Sequence, residues 1–348
     1  MFQYFEPLKK SGLERVVRRR AGERKLGELI EVPDDKPVRS FLENTQALFV
    51  VLGIAEDIGV LANGGNEGTA TAWQSFLESF LNIQANDFTN AKNFVVIGRF
   101  SFDEVNEKIV RGGGSSDERL EKYRKAVPII DDAVAELIQW IVTCKKIPIV
   151  IGGGHNNAYP IIKGTALGLM ALGHPRGINC VNLDAHVDYR VAEGRHSGNA
   201  FRYAKQDGFL LKYFPLGIHE NYIPNPILQE VKDTADIAFS TYEEIFIYQR
   251  RTWMQALRDA AEFVGDGTLT GIELDLDSIE YLPASAATPC GVSSREALQY
   301  VVQMSSDCQV AYLHVCEGIA SDNHGLVGKL ISYIVASFAK SSYNKTLG

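Results

Sequence analysis

The sequence predicts one α/β domain built on a largely parallel sheet with helices on both faces. Three observations support this prediction. Short apolar runs typical of buried strands recur along the 348 residues, helical stretches separate them, and no internal repeat or low-complexity linker divides the chain. Strands that alternate regularly with helices are the pattern of a doubly wound α/β fold.

Eight strands and five main helices can be predicted in chain order. Apolar runs bounded by glycine or polar residues predict strands at Ala47–Ile54, Asn93–Phe100, Ile147–Gly154, Gly177–Leu183, Phe214–Glu220, near Asp236–Phe239, Gly271–Glu280 and Ala311–Gly318. Helical spacing predicts helices at Trp73–Leu81, Asp117–Val142, Tyr159–Leu172, Ile245–Val264 and His324–Lys340. Residues 1–40 are polar and rich in charge, and we expect a peripheral N-terminal extension there, attached to a single domain.

The composition argues against several classes of function. A net charge of −8 does not suit nucleic-acid binding, which needs a basic surface. No apolar run is long enough to span a bilayer, and the N-terminus lacks the pattern of a signal peptide. The five cysteines are scattered without C-x-x-C spacing, as in proteins of a reducing compartment. We therefore expect a cytoplasmic protein that binds neither nucleic acid nor membranes.

The most informative stretch runs from Cys180 to Phe201, where a predicted strand ends. It presents Asp184, His186 and Asp188 at every second position, and in extended backbone such side chains point to one side. Two carboxylates around an imidazole suit manganese, iron or zinc. A D-x-H pair alone would more often be a polar turn. Three ionisable groups on one face instead call for a cation between them.

Polar residues end three further predicted strands. His155 follows three glycines, and Glu317 closes an apolar run. Asp275 and Asp277 again lie two positions apart. Each of these alone would more often cap a turn or a helix. The carboxyl ends of parallel strands meet at one crevice, however, and the combined set offers more ligands than one ion needs, which indicates two metal ions.

The motifs GGGH, DAHxD and DxD, in this order on strand ends, resemble the ureohydrolases: arginases, agmatinases, guanidinobutyrases and formimidoylglutamases. The resemblance extends from about Leu52 to Phe338. It implies an arginase-like three-layer αβα sandwich with a central, mainly parallel, eight-stranded sheet. It also implies two Mn²⁺ per subunit, a homo-oligomer such as a trimer or hexamer, and hydrolysis of a C–N bond in a linear amidine or guanidino compound.

The resemblance assigns roles to the ligands. His155 would hold one ion and His186 the other, and we expect that His155, Asp184, Asp188 and Asp275 do not all serve one ion. The six metal ligands would be His155, Asp184, His186, Asp188, Asp275 and Asp277. Two ions lower the pKa of a bridging water, and Asp188 or Asp277 would accept its hydrogen bond and pass a proton to the leaving nitrogen. Glu317 would bind the cationic N–H groups of the substrate.

The residues after DAHVD favour a formimidoylglutamase. The segment SGNAFR resembles the SGT-P-F-R of those enzymes, whereas arginases have a histidine where Phe201 stands. Arg190 resembles the arginine of their DLR and could pair with a substrate carboxylate, although a structural salt bridge explains it equally well. Ser197 and Asn199 are predicted substrate contacts. His196 is predicted to be a proton shuttle, a substrate contact or a residue of the pocket wall.

The first choice of substrate is N-formimidoyl-L-glutamate, which hydrolysis would convert to glutamate and formamide. The alternative is a guanidino hydrolase that releases urea from guanidinobutyrate, agmatine, arginine or a related compound. Departures from the family after Asp277, in SIEYLPASAATPCG, and after Glu317 motivate a rival of another class, a non-catalytic metal-binding homologue. A single-metal deacylase of related fold would need fewer ligands than the sequence offers. The ligand set also tolerates iron, zinc or nickel.

Overall fold

The computed structural model describes residues 2–320 and 325–346. Its strands are β1 Phe5–Pro7, β2 Phe49–Ala55, β3 Phe94–Ser101, β4 Ile147–Ile151, β5 Ile178–Leu183, β6 Leu210–Ile218, β7 Ser240–Thr241, β8 Thr270–Asp275 and β9 Val310–Cys316. Its α-helices are α1 Lys10–Val16, α2 Val38–Asn44, α3 Ile58–Leu61, α4 Ala72–Phe80, α5 Asp103–Arg111, α6 Ser116–Thr143, α7 Ala158–Ala171, α8 Ala200–Gln206, α9 Asn225–Asp233, α10 Trp253–Val264, α11 Ser294–Asp307 and α12 Leu326–Thr346.

The strands form one sheet in the order β1-β3-β2-β4-β9-β8-β5-β6-β7. Every neighbouring pair is parallel except β1 and β3, which are antiparallel. The four adjacent strands β4, β9, β8 and β5 lie at the centre of the sheet. They lead into GGGH, Glu317, DLD and DAHVD respectively. The sheet order therefore brings all the predicted ligand motifs to neighbouring strand ends.

Helices cover both faces of the sheet, as the sequence predicts. Alternate residues of β2 show the two layers: Val50 and Leu52 belong to one buried cluster, and Val51 to the other. The first cluster continues into α5, α6, α7 and α8, and the second into α4, α10, α11 and α12. Side chains that alternate between two cores are expected for a strand buried on both faces.

The described part of the sheet has nine strands rather than the eight predicted. The additional strand, β1, pairs with β3 at the edge, and Phe5 packs against Phe100 with ring centroids 5.0 Å apart. A three-residue strand that contains a proline shows too little periodicity to be predicted, although an edge is where a strand proline is tolerated. Residues 1–40 thus supply a sheet strand and are not wholly peripheral.

Two other boundaries differ from the prediction. The expected helix Ile245–Val264 divides into a π-helical segment, Glu243–Ile247, and α10, because Gln249 has a left-handed φ of 51° between them. Strand β7 begins just after the segment predicted for it. His324, where we expected the last helix to begin, lies outside the described residues.

None of the helices in the described ranges is both long enough and apolar enough to cross a membrane.

Candidate metal centre

Two of the central strands end in the same kind of turn. The backbone N–H of His186 donates to Asp184 Oδ1 at 2.6 Å, and that of Asp277 donates to Asp275 Oδ1 at 2.8 Å. Strand β5 already ends at Leu183, so these turns, and not the strand alternation inferred from the sequence, direct the DAHVD side chains. Asp188 then turns back with a left-handed φ of 45°. Short Asp side chains tolerate this conformation better than most residues.

The first ligand cluster surrounds Nδ1 of His155. This atom lies 3.2 Å from Asp184 Oδ2, 2.9 Å from Asp188 Oδ2 and 3.0 Å from Asp275 Oδ2. One ligand atom from each of the four buried residues lies within 4.8 Å of the others, a grouping that could hold a metal ion. We expected these four not all to serve one ion. The structure instead gathers them around one point, because Asp188 folds back over the end of β5.

The second ligand cluster shares Asp184 with the first. His186 Nδ1 lies 3.5 Å from Asp184 Oδ1 and 3.2 Å from Asp277 Oδ2, and these three residues form a second group that could hold an ion. The two oxygens of Asp184 therefore face different clusters, which is the arrangement of a bridging carboxylate. All six predicted metal ligands lie in these two clusters.

The charges in the clusters fit divalent cations. Burial and the neighbouring Asp184 raise the pKa of Asp188 to about 6, and burial and Asp277 raise the pKa of Asp275. Burial opposes protonation of His186, but the carboxylates of Asp277 and Asp184 outweigh it and raise its pKa. Carboxylates crowded in this way attract positive charge. Hard oxygen donors combined with imidazole nitrogen suit Mn²⁺, Fe²⁺ or Zn²⁺.

Glu317 adds a further carboxylate at the end of β9. Its Oε1 accepts a hydrogen bond from the His155 backbone N–H at 2.6 Å, and its Oε2 accepts one from the Ser285 hydroxyl. Burial raises the pKa of Glu317 to about 8, and the nearby Asp277 charge acts in the same direction. The side chain nevertheless reaches the cavity wall described next.

A cavity of about 420 Å³ opens above the two clusters. Ligands from both clusters line it, and so do three of the four predicted substrate contacts, Arg190, Ser197 and Glu317. The Arg190 side chain is 50% exposed, and its Nη1 donates to Asn63 Oδ1 at 3.1 Å. Asn63 Nδ2 donates in turn to Ser197 Oγ at 3.2 Å. The structure therefore places Arg190 on the cavity wall, held by a polar neighbour.

His196 and Asn199 are buried and are not among the described residues that line the cavity. His196 Nδ1 accepts from the Gly198 N–H at 3.2 Å, and burial, together with Arg190, lowers its pKa to about 3. Asn199 Oδ1 accepts from Arg195 Nη1 at 3.0 Å. These contacts shape the 3₁₀ turn that carries Ser197 to the cavity, so both residues act on the loop and not on the pocket surface.

Two residues near the site were missed in the sequence. Glu56 is buried after β2, and its Oε1 accepts from the Gly154 N–H at 3.0 Å and from Asn157 Nδ2 at 2.7 Å, which fixes the loop before His155. The sequence signal that could have identified Glu56 is an acidic residue directly after a predicted buried strand. Tyr222 stacks on His186, with ring centroids 5.3 Å apart and planes 17° apart. It lies on a loop without periodicity, where no sequence signal marks it.

The chain matches known proteins over most of its length. The family model described as "Arginase family" matches residues 48–321. A formimidoylglutamase from Streptococcus pyogenes serotype M49 is 26% identical over 307 residues, which cover 84% of this chain and 86% of that protein. A formimidoylglutamase structure from Bacillus subtilis has a TM-score of 0.73 at 14% identity and covers 94% of both chains.

A formiminoglutamase from Trypanosoma cruzi, solved with Mn²⁺, has a TM-score of 0.69 at 18% identity, covering 92% of this chain and 98% of that one. At such identities the solved structures show the shared fold, which confirms the predicted mainly parallel α/β architecture. The family model covers well over half of the chain and includes every residue of both ligand clusters. The chain therefore belongs to the arginase family, whose members are hydrolases that act on the C–N bonds of amidino and guanidino groups.

Proposed function

We propose that this chain is a dinuclear-metal hydrolase of N-formimidoyl-L-glutamate that releases glutamate and formamide. The observation that supports this substrate most directly is the position of Arg190 on the cavity wall above the ligand clusters. The similarity to a formimidoylglutamase over 84% of the chain favours the same substrate.

The six clustered ligands would hold two Mn²⁺ ions, with Asp184 between them. Such ions, when bound, lower the pKa of a shared water towards neutrality. Asp277 Oδ1 is buried without a hydrogen-bond partner in the described chain. It is therefore free to accept a hydrogen bond from an attacking water and to pass the proton to the leaving nitrogen. Asp188, which also lines the cavity, is the alternative for this step.

Glu317 would orient the planar formimino group. Its carboxylate lines the cavity close to both clusters, and a carboxylate there forms charge-assisted hydrogen bonds with cationic N–H groups. The Ser285 hydroxyl and the His155 backbone N–H already bind its two oxygens and hold the side chain in place.

Arg190 would bind a carboxylate of the substrate. Its contacts are Asn63 Oδ1 through Nη1 and Glu193 Oε1 through Nη2, the latter at 3.4 Å. An arginine presents five N–H donors, so this half-exposed guanidinium keeps donors for a ligand. The alternative role for Arg190 is a purely structural salt bridge to Glu193, and substitution of each residue separates the two.

The proposed reaction is tested by a screen of the Mn²⁺-reconstituted protein against formiminoglutamate, guanidinobutyrate, agmatine, arginine and guanidine, with bound metal measured in parallel. Glutamate release from formiminoglutamate is the expected result. Urea from another compound would make the chain a guanidino hydrolase. Bound metal without turnover on any compound would contradict the proposed substrate and favour a metal-binding homologue.

The carboxylate contact is tested with Arg190→Gln and, as a matched control, Glu193→Gln. Loss of a charge-assisted contact of about 1.5–3 kcal/mol should raise KM for formiminoglutamate about 10- to 100-fold in Arg190→Gln. Activity on agmatine, which has no carboxylate, should not fall in parallel. An unchanged KM, or an equal effect of Glu193→Gln, would assign Arg190 to the salt bridge.

We also propose a location, an assembly and a domain organisation for the protein. The free cysteines support a reducing, cytoplasmic location. A trimeric or hexameric assembly follows from the family resemblance alone. The single continuous sheet supports one domain for the whole chain.

A further inference from the structure

The carboxylate of Glu273 lies directly behind the first ligand cluster, and the reaction proposed above does not use it. Glu273 is fully buried on β8, two residues before Asp275. Its Oε2 lies 3.5 Å from Nε2 of His155, the ring nitrogen on the side away from the three aspartates. That nitrogen is buried and has no hydrogen-bond partner in the described chain. Glu273 is thus the carboxylate within reach of the Nε2 proton.

Two neighbours on β9 hold this carboxylate by both oxygens. Tyr312 donates from its hydroxyl to Glu273 Oε1 at 2.7 Å, and His314 Nδ1 lies 2.6 Å from Oε2. In the register of the two strands Glu273 faces His314 and Gly271 faces Tyr312. A Cβ on Gly271 would lie 2.4 Å from the Tyr312 ring, so only glycine leaves room for that ring. The sheet therefore builds a fixed acceptor behind His155.

A histidine that binds a metal presents a lone pair from one nitrogen and carries its proton on the other. An acceptor at the protonated nitrogen fixes the tautomer, orients the ring and makes the ligand nitrogen more basic. We propose that Glu273 is a positioning residue whose carboxylate accepts a hydrogen bond from the Nε2–H of His155 and thereby fixes Nδ1 as the metal-binding atom. Tyr312 and His314 hold Glu273 in place. This inference rests on the proposed metal centre.

The test is a calorimetric titration of Mn²⁺ alone into the metal-free protein. His155→Asn and His186→Asn first identify which class of binding site belongs to which cluster. Glu273→Gln is expected to weaken the class lost in His155→Asn by about 10- to 100-fold. The affinity of the class lost in His186→Asn should stay within about twofold of the wild-type value, since Glu273 is not a member of the second cluster.

Tyr312→Phe is a second variant that retains the buried carboxylate. It removes one hydrogen bond to Glu273 and should weaken the same class by about fivefold. Tyr300→Phe is its matched control, because Tyr300 is another buried tyrosine, and its hydroxyl binds the backbone oxygens of Val181 at 2.9 Å and Glu273 at 2.8 Å. Tyr300→Phe should lose stability as Tyr312→Phe does, but it should bind Mn²⁺ with the affinity of the wild type.

Several results would overturn the inference. If Glu273→Gln binds both ions as tightly as the wild type, or if both classes weaken equally, Glu273 does not position His155. If that variant does not fold, an unchanged Tyr312→Phe titration has the same meaning. Tight binding of a third ion would assign Glu273 and its neighbours to metal ligation instead. A wild-type chain that binds no Mn²⁺ refutes the proposed metal centre itself, whereas the other results refute only the role of Glu273.

Discussion

Neutralising Glu317 should stabilise the metal-free protein at high pH. Glu317 is 3% exposed, and burial, with the Asp277 charge nearby, raises its pKa from the ordinary 4.5 to about 8. In Glu317→Gln the amide oxygen can still accept from the His155 N–H, and the amide nitrogen can donate to the Ser285 hydroxyl. The substitution therefore removes a buried charge and keeps the hydrogen bonds around it.

The sign and size of this stability difference follow from the linkage between proton binding and folding. Between pH 4.5 and 8 the folded chain holds the Glu317 proton and the unfolded chain releases it, so stability falls as the pH rises through this range. One pKa unit corresponds to about 1.4 kcal/mol, so the whole effect is on the order of 5 kcal/mol as an upper bound. Glutamine cannot ionise. The stability of Glu317→Gln relative to wild type should thus be smallest near pH 5 and grow towards pH 8.

The assay is urea denaturation of both proteins at pH 5, 6, 7 and 8 in the presence of a chelator. The difference in unfolding free energy between them isolates Glu317 from the other carboxylates. Addition of Mn²⁺ should reduce the advantage of the variant, because bound cations offset the charge of the wild-type carboxylate. A difference that is constant across the pH range, or a variant less stable than wild type at pH 8, would contradict a raised pKa of Glu317 in the folded protein.

Three further substitutions test other parts of the structure. Glu56→Gln should destabilise the protein by about 1–3 kcal/mol in a denaturation assay. Three N–H groups donate to the two oxygens of Glu56, so the amide nitrogen of glutamine would face a donor instead of an acceptor. Asp131→Asn, which breaks a buried pair with Arg195 at 2.9 Å, should cost about 3–5 kcal/mol, whereas the exposed neighbour Asp132→Asn should cost less than about 1 kcal/mol. Tyr222→Leu removes the ring stacked on the second ligand cluster and should weaken binding of that Mn²⁺ about 2- to 10-fold in a metal titration.

The ligand residues could be predicted because each follows an apolar run in a parallel sheet. The strand order β4-β9-β8-β5 makes their four strands neighbours, so their carboxyl ends meet at one crevice, as expected for a parallel sheet. The grouping within the clusters could not be predicted in the same way. It depends on the turns at Asp184 and Asp275 and on the left-handed backbone of Asp188, and residue spacing carries no information on these.

The pocket wall was harder to predict than the ligands. His196 and Asn199 lie close to DAHVD in sequence, but hydrogen bonds to Gly198 and Arg195 draw them inside the loop. Glu273 precedes Asp275 by two residues and so shares its side of β8. The alternation E-x-D-x-D could have revealed it. Its pairing with His314 can be recognised only once the register of β8 and β9 is known, because these strands lie far apart in sequence.

We propose that two Mn²⁺ ions bind in clusters that share Asp184. The most direct test is the number of Mn²⁺ ions bound per chain after dialysis, for wild type, His186→Asn and Asp184→Asn. We expect two ions for wild type, one for His186→Asn, and a loss of both tight sites for Asp184→Asn, since the two oxygens of Asp184 face different clusters. A wild-type chain with one ion or none, or an Asp184→Asn chain that retains both, would contradict it.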